Sequence, residues 1–199
     1  MIVRLELAPG SAVSEAMLSS RLGIGRTPIR EALQRLARER LVRILPRRGV
    51  IVSEIDVKSQ LRLLEVRREL ERLMARAAAR RSSPTERERF AELARAFTRS
   101  AVERDDVTFL RIDREFNELC LQAARNEYAA TAMGLMNALS RRFWYLHFRQ
   151  AADLPVTARL HANIARAIAD GNQPAAAKAS DALLDNIESF TRNTVSTDF

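Results

Sequence analysis

The chain has 199 residues, 47% of them hydrophobic, and its 33 Lys and Arg against 25 Asp and Glu leave a net charge of +8. No apolar run approaches the ~18–20 residues that span a bilayer, so no membrane span is expected. Met1 to Glu6 lacks the long apolar core of a secretion signal, so cytoplasm is the expected location. The single cysteine excludes an internal disulfide.

Ser14 to Leu22 reads as a short helix capped by Ser14 and stopped by Gly23. A turn over Gly23 to Arg26 leads into a second helix, for which Thr27 is placed as the cap and Pro28 as the first helical residue. Ile29, Ala32, Leu33, Leu36 and Ala37 form its apolar stripe, and Thr27, Arg30, Gln34 and Arg38 lie opposite, with Arg26 just ahead. Hydroxyl, amide and guanidinium groups at the start of an exposed helix suit base edges and phosphates in a major groove. Helix, glycine turn, helix is the helix-turn-helix arrangement. The β-branched runs Leu41–Leu45 and Val50–Val52 then flank Pro46-Arg47-Arg48-Gly49, a hairpin whose turn carries two arginines. Beside the second helix such a hairpin is a wing, able to reach phosphates or a minor groove.

Charge is distributed accordingly. Residues 1–52 hold ten arginines against four glutamates, a net +6, while the remaining residues hold 23 basic against 21 acidic side chains. A basic head on a nearly neutral body points to double-stranded DNA as the head's partner.

The body, 57–199, reads as six helices at 57–80, 84–103, 105–123, 127–150, 156–170 and 174–192, joined to a head of residues 1–54 by the segment Ser53 to Asp56. The expected fold is therefore mainly α: an N-terminal winged helix-turn-helix plus a C-terminal all-helical bundle. Cys120 falls on an apolar face with Phe109, Ile112, Phe116 and Ala123, as an inert core thiol would.

Charged groups interrupt the body's apolar faces. Arg67 lies at the edge of the stripe Leu63, Val66, Leu70, Leu73, Met74 and Ala77. Arg142 lies inside the stripe Tyr128, Ala132, Leu135, Leu139 and Leu146; Asp113 and Asn117 sit one turn apart, and His161 stands beside Leu160, Ile164 and Ile168. Arg67 paired with Asp113 would be structural glue. The alternative is a polar cavity among Arg67, Asp113, Asn117, Arg142 and His161, net positive, in which the arginines clamp the carboxylate of a small acidic effector. His147 reads as a surface or packing histidine. With two histidines, no nucleophile motif and no phosphate loop, no reaction centre is expected, and an architectural DNA binder would not need so elaborate a body.

Leu7-Ala8-Pro9-Gly10, Leu22-Gly23-Ile24-Gly25-Arg26-Thr27-Pro28-Ile29-Arg30-Glu31-Ala32-Leu33 and Pro46-Arg47-Arg48-Gly49-Val50 resemble the winged-helix head of GntR-family transcription regulators. The helical body resembles the FCD effector domain of their FadR-like branch. The resemblance implies a homodimer on a palindromic operator, with Arg26, Thr27, Arg30 and Gln34 near base edges and Arg47, Arg48 and Gly49 at the wing. Two departures stand out. Family members usually carry another helix before the Leu-x-Pro-Gly segment, whereas this sequence opens six residues before Leu7. Either the head packs without that helix or the start lies upstream. The family also commonly holds a divalent metal with one aspartate and three histidines. Here Asp113 and His161 match, but Asn117 and Leu183 replace the other two histidines, so a metal at Asp113 and His161 is disfavoured.

Overall fold

The computed structural model describes residues 1–46, 49–151 and 153–194, with the backbone alone for 148–151. The chain divides into two compact units, one of Met1–Gln60 with Gly134–Phe148, the other of Leu61–Met133 with Arg149–Phe199. By contacts the first unit takes in a segment of a later helix, residues 134–148, besides the head.

The first unit begins with strand β1 (Ala12–Val13), helix α1 (Glu15–Leu22) and helix α2 (Arg26–Arg38), followed by β2 (Val42–Leu45) and β3 (Gly49–Val52). The Ser14 hydroxyl accepts from the Met17 amide at 3.0 Å, and Gly23 ends α1 at φ +67°, a left-handed conformation that costs glycine little. α2 starts two residues earlier than expected, with Gly25 as its cap and no side-chain cap bond. Arg26 is already helical, so the Thr27 hydroxyl falls inside the first turn. Pro28 remains harmless there, since amides of that turn have no intrahelical partner. Ile29 and Leu33 are buried, but Ala32, expected on the same stripe, is exposed.

The sheet runs β1-β3-β2, antiparallel throughout, with Val42 opposite Val52 and Leu45 opposite Gly49 across the wing hairpin. Its third strand, β1, was not legible in the sequence; two residues are too few for an alternation to register. Leu7, Val13, Leu18, Ile29, Leu33, Val42, Val50 and Val52 form the core, and Met1, Ile2, Leu36 and Ala37 pack against it. Arg47 and Arg48 lie outside the described residues, and Gly49 has φ +89°.

The remaining helices are α3 (Val57–Arg81), α4 (Pro84–Glu103), α5 (Asp106–Ala123), α6 (Glu127–Ala151), α7 (Leu154–Ala169) and α8 (Gln173–Asn193). Their starts follow ordinary capping chemistry: Ser83 and Glu86 form a reciprocal box, and Asp105, Asp153 and Asn172 each accept an amide of the first turn. In the second unit α4 packs most extensively on α7. Phe90, Leu93, Phe97, Ile112, Ile168 and Leu184 are fully buried there.

The expected stripe of α3 is only partly core. Val66 and Leu73 are about half exposed, while Met74, Ala75, Ala78 and Ala79 are buried, a face of mostly small residues that permits close helix approach. α6 departs likewise. Tyr128, Leu135 and Leu146 are exposed, and Ala129, Met133, Arg142 and Phe143 are buried in their place.

Candidate functional site

On the first unit Arg26, Thr27, Arg30 and Gln34 are all exposed, at the start and along one side of α2, while Ile29 and Leu33 hold the opposite side in the core. Arg30 is not loose. Its Nε donates to Glu15 Oε1 at 2.7 Å and its Nη2 to Glu15 Oε2 at 2.8 Å, a bidentate fork between the two helices. Those hydrogen bonds hold the Glu15 carboxyl below its ordinary range and the guanidinium above its own. No local pattern marks Glu15 as its partner, since the two stand fifteen positions apart across a turn.

On the second unit a polar cluster is enclosed by aromatic rings. His161 Nδ1 lies 2.8 Å from the Thr157 carbonyl and Nε2 lies 3.1 Å from Asp113 Oδ1. Asn117 Nδ2 donates to the Asp113 carbonyl at 2.8 Å and to its Oδ1 at 3.1 Å. The rings of Phe97, Phe109 and Phe116 surround the imidazole, with centroids 5.1, 5.5 and 5.8 Å away. Burial disfavours the charged ring, but the Asp113 hydrogen bond and charge, the Thr157 carbonyl and the field of Glu71 outweigh it and raise the His161 pKa. With both ring nitrogens facing acceptors, the imidazolium is the form that satisfies them. Cys120 is buried close by, its thiol pushed well up by burial and by the charges of Glu71 and Asp113. That environment suits the inert thiol expected of it.

Arg67 belongs to the same unit but pairs with Glu71, one turn along α3, with Nε donating to Oε1 at 2.8 Å. The expected structural pairing of Arg67 with Asp113 gives way to two other pairs, Arg67 with Glu71 and Asp113 with His161, so each of these charges has a counter-charge. Glu71 stands at the ordinary helical pairing distance from Arg67, a signal the sequence does carry.

Arg142 does not join this cluster. It lies in the first unit, 1% exposed, and its Nη2 donates to the Ser53 carbonyl. Burial lowers its pKa and Glu54 partly opposes that. Its place inside an apolar stripe points to a ligand pocket; in the structure Nη2 is taken by the Ser53 carbonyl, while the buried Nε has no hydrogen-bond partner. His147, in the same part of α6, packs on the Phe143 ring at 4.5 Å.

A divalent metal does not fit the donors present. Asp113 and His161 supply two ligands, Asn117 turns an amide N–H toward the carboxylate, and Leu183 is a buried hydrocarbon. Among the described residues no group of three or more His, Cys, Asp or Glu is arranged to hold a metal ion. No described helix is long and apolar enough to cross a membrane.

A winged helix-turn-helix in a chain whose remaining helices form a separate unit is the architecture of a DNA-binding transcription regulator. Residues 1–52 match the model of the bacterial regulatory proteins of the gntR family, and residues 62–186 match the FCD domain. The HTH-type transcriptional repressor RspR of Escherichia coli K12 is 30% identical over 193 residues, 96% of this chain and 84% of that protein. An HTH-type regulator of Streptomyces ambofaciens is 50% identical over 56 residues, 28% of this chain and 24% of that protein. Among solved structures, Escherichia coli McbR/YncC superposes with a TM-score of 0.79 at 16% identity, covering 98% of this chain and 92% of its own, which shows the shared fold. The chain belongs to the GntR family of transcription regulators, with an FCD domain as its helical part. It is a regulator and not an enzyme.

Proposed function

We propose that the protein is a cytoplasmic, homodimeric operator-binding regulator whose FCD domain takes a small carboxylate effector beside Arg67. In this reading Arg26, Thr27, Arg30 and Gln34 face base edges, while Arg47, Arg48 and Gly49 meet the DNA backbone at the wing. Half-exposed apolar residues on α3, Val66 and Leu73, support a two-fold contact with a second copy.

The observation that carries the effector reading is the polar cluster of Asp113, Asn117 and His161 together with the part-buried pair of Arg67 and Glu71, whose glutamate is near enough for its charge to act on His161. Arg67 and Glu71 are 14% and 16% exposed, so their pair is poorly screened and its exchange for another carboxylate is a strong interaction. The cluster is already charge-balanced. An acid therefore binds by taking the guanidinium from Glu71 rather than by filling a positive void. Asp113 and His161 stay paired and border the site. Binding shifts operator affinity only through a difference between the two states of the dimer.

The test is calorimetry on the full chain with C2–C6 organic and sugar acids, against neutral polyols of the same size. An acid should bind, Arg67→Ala should abolish that binding, and Glu71→Gln, which removes the competing carboxylate, should tighten it several-fold. Absence of binding by every acid, or an unchanged affinity in Glu71→Gln, would overturn the carboxylate reading.

A further inference from the structure

The bidentate pair of Glu15 with Arg30 uses two of the five N–H groups of the guanidinium, the Nε–H and one Nη2–H. The edge left over carries one hydrogen of Nη2 and one of Nη1, two parallel donors directed outward along the side chain. That is the donor pair which meets O6 and N7 of guanine in a major groove. The two bonds to Glu15 also fix the guanidinium plane. An arginine held by one hydrogen bond swivels about it, whereas one held by two presents its remaining edge in a single orientation.

The placement of the pair reinforces this. Glu15 is the first residue of α1 and Arg30 lies in the second turn of α2, so both helices of the motif bear on one side chain. The arginine keeps 65% exposure and the glutamate 31%, which leaves the outward edge in solvent while the carboxylate sits behind it. A charge pair so exposed contributes little to stability, so holding the fold together does not account for its geometry. Glu15 also places a negative charge on a face otherwise rich in arginine, where it weakens attraction to phosphates of any sequence.

We propose that Glu15 is a specificity-determining positioning residue: it buttresses Arg30 so that the free Nη1/Nη2 edge reads one guanine in each operator half-site. This rests on the reading of α2 as the base-reading helix. An adenine at that position offers an amino group where the guanine carbonyl would be, and a fixed guanidinium cannot turn away from it. A loose one can, and can slip to a phosphate instead. Discrimination between the two bases therefore comes from the pair, not from Arg30 alone.

The experiment uses the full-length protein and a randomised duplex library, with selected sequences read out for wild type, Glu15→Ala, Glu15→Gln and Arg30→Ala. Anisotropy titrations on the wild-type selected duplex and on its single-base variants then give the preferences. Arg30→Ala should lose guanine preference at one base pair per half-site. Glu15→Ala should lose it at that same base pair, with the guanine-to-adenine ratio falling about tenfold, and bind random duplex slightly more tightly. Glu15→Gln, which retains one acceptor, should fall between. Thermal midpoints should stay unchanged in all three, which separates positioning from folding. Glu15→Ala keeping the guanine preference that Arg30→Ala loses would overturn the proposal. So would Glu15→Ala binding the selected duplex more tightly with selectivity intact, since the pair would then be a latch. If Arg30→Ala alters no base position, the base-reading assignment fails first, visibly and separately from Glu15.

Discussion

Two charge pairs, one in each unit, are built from similar parts and sit in opposite surroundings. Arg30 and Glu15 are joined by two short hydrogen bonds, yet the arginine is two-thirds exposed and retains donors that the pair does not use. His161 and Asp113 are joined by one contact, but the ring is 9% exposed, and its other nitrogen and the carboxylate already have partners. The first pair orients a group for something outside the protein. In the second, both ring nitrogens of His161 are taken, and what the pair keeps is an acceptor, Asp113 Oδ2, with no donor. What decides between the roles is the number of hydrogen-bond donors left over once the pair is made.

The comparison breaks most visibly at Asp113. Asp113→Ala leaves the buried His161 ring without its carboxylate in a cage of phenylalanines, so the ring gives up its proton, and the loss should be about 1–3 kcal/mol, that of a buried donor left without its acceptor. Urea unfolding of the full chain measures this, and a loss below about 1 kcal/mol would mean the pair is not structural. A smaller effect follows from the His161 pKa, which is raised in the fold. The pair's contribution is then complete below the ordinary histidine value of 6.5 and is lost as pH rises through the higher folded value. Thermal midpoints recorded from mildly acidic to mildly alkaline pH should decline on the alkaline side, and Asp113→Asn should flatten that decline. The smallest effect concerns metals. Zinc or manganese at a hundred times a tight dissociation constant would stabilise a bound protein by about 2.7 kcal/mol. With two donors available here, the midpoint should not move on metal addition or chelation. A rise that Asp113→Ala removes would restore the metal site.

Much of this was legible in the chain. The six helices of the body were bounded to within a residue or two because Ser83, Asp105, Asp153 and Asn172 are strong local caps, and capping chemistry is written in neighbouring residues. The head was legible for the same reason, since Ser14, Gly23 and the wing turn act locally. The sites were harder. Asp113, Asn117 and His161 do come together, but Glu15 and Arg142 find their partners across the fold, and no periodicity reveals such a match. Apolar patterning also misled in α3 and α6, where Val66, Leu73, Tyr128 and Leu135 remain exposed. A stripe shows that a face is apolar, not that this chain alone covers it.

Because residues 134–148 of α6 belong to the same compact unit as residues 1–60, the unit that holds the winged head is discontinuous in the sequence. The carbonyl of Ser53, at the exit of the wing, takes its proton donor from Arg142, 89 positions further on. Cutting after residue 54, where a linker would be sought, leaves that carbonyl without its donor and the winged head without a helical segment it shares. Grafting the head onto another regulator meets the same obstacle unless the equivalent of Arg142 travels with it. Heads and bodies in such a chain are not interchangeable beads, and exchange of one constrains which versions of the other still fold.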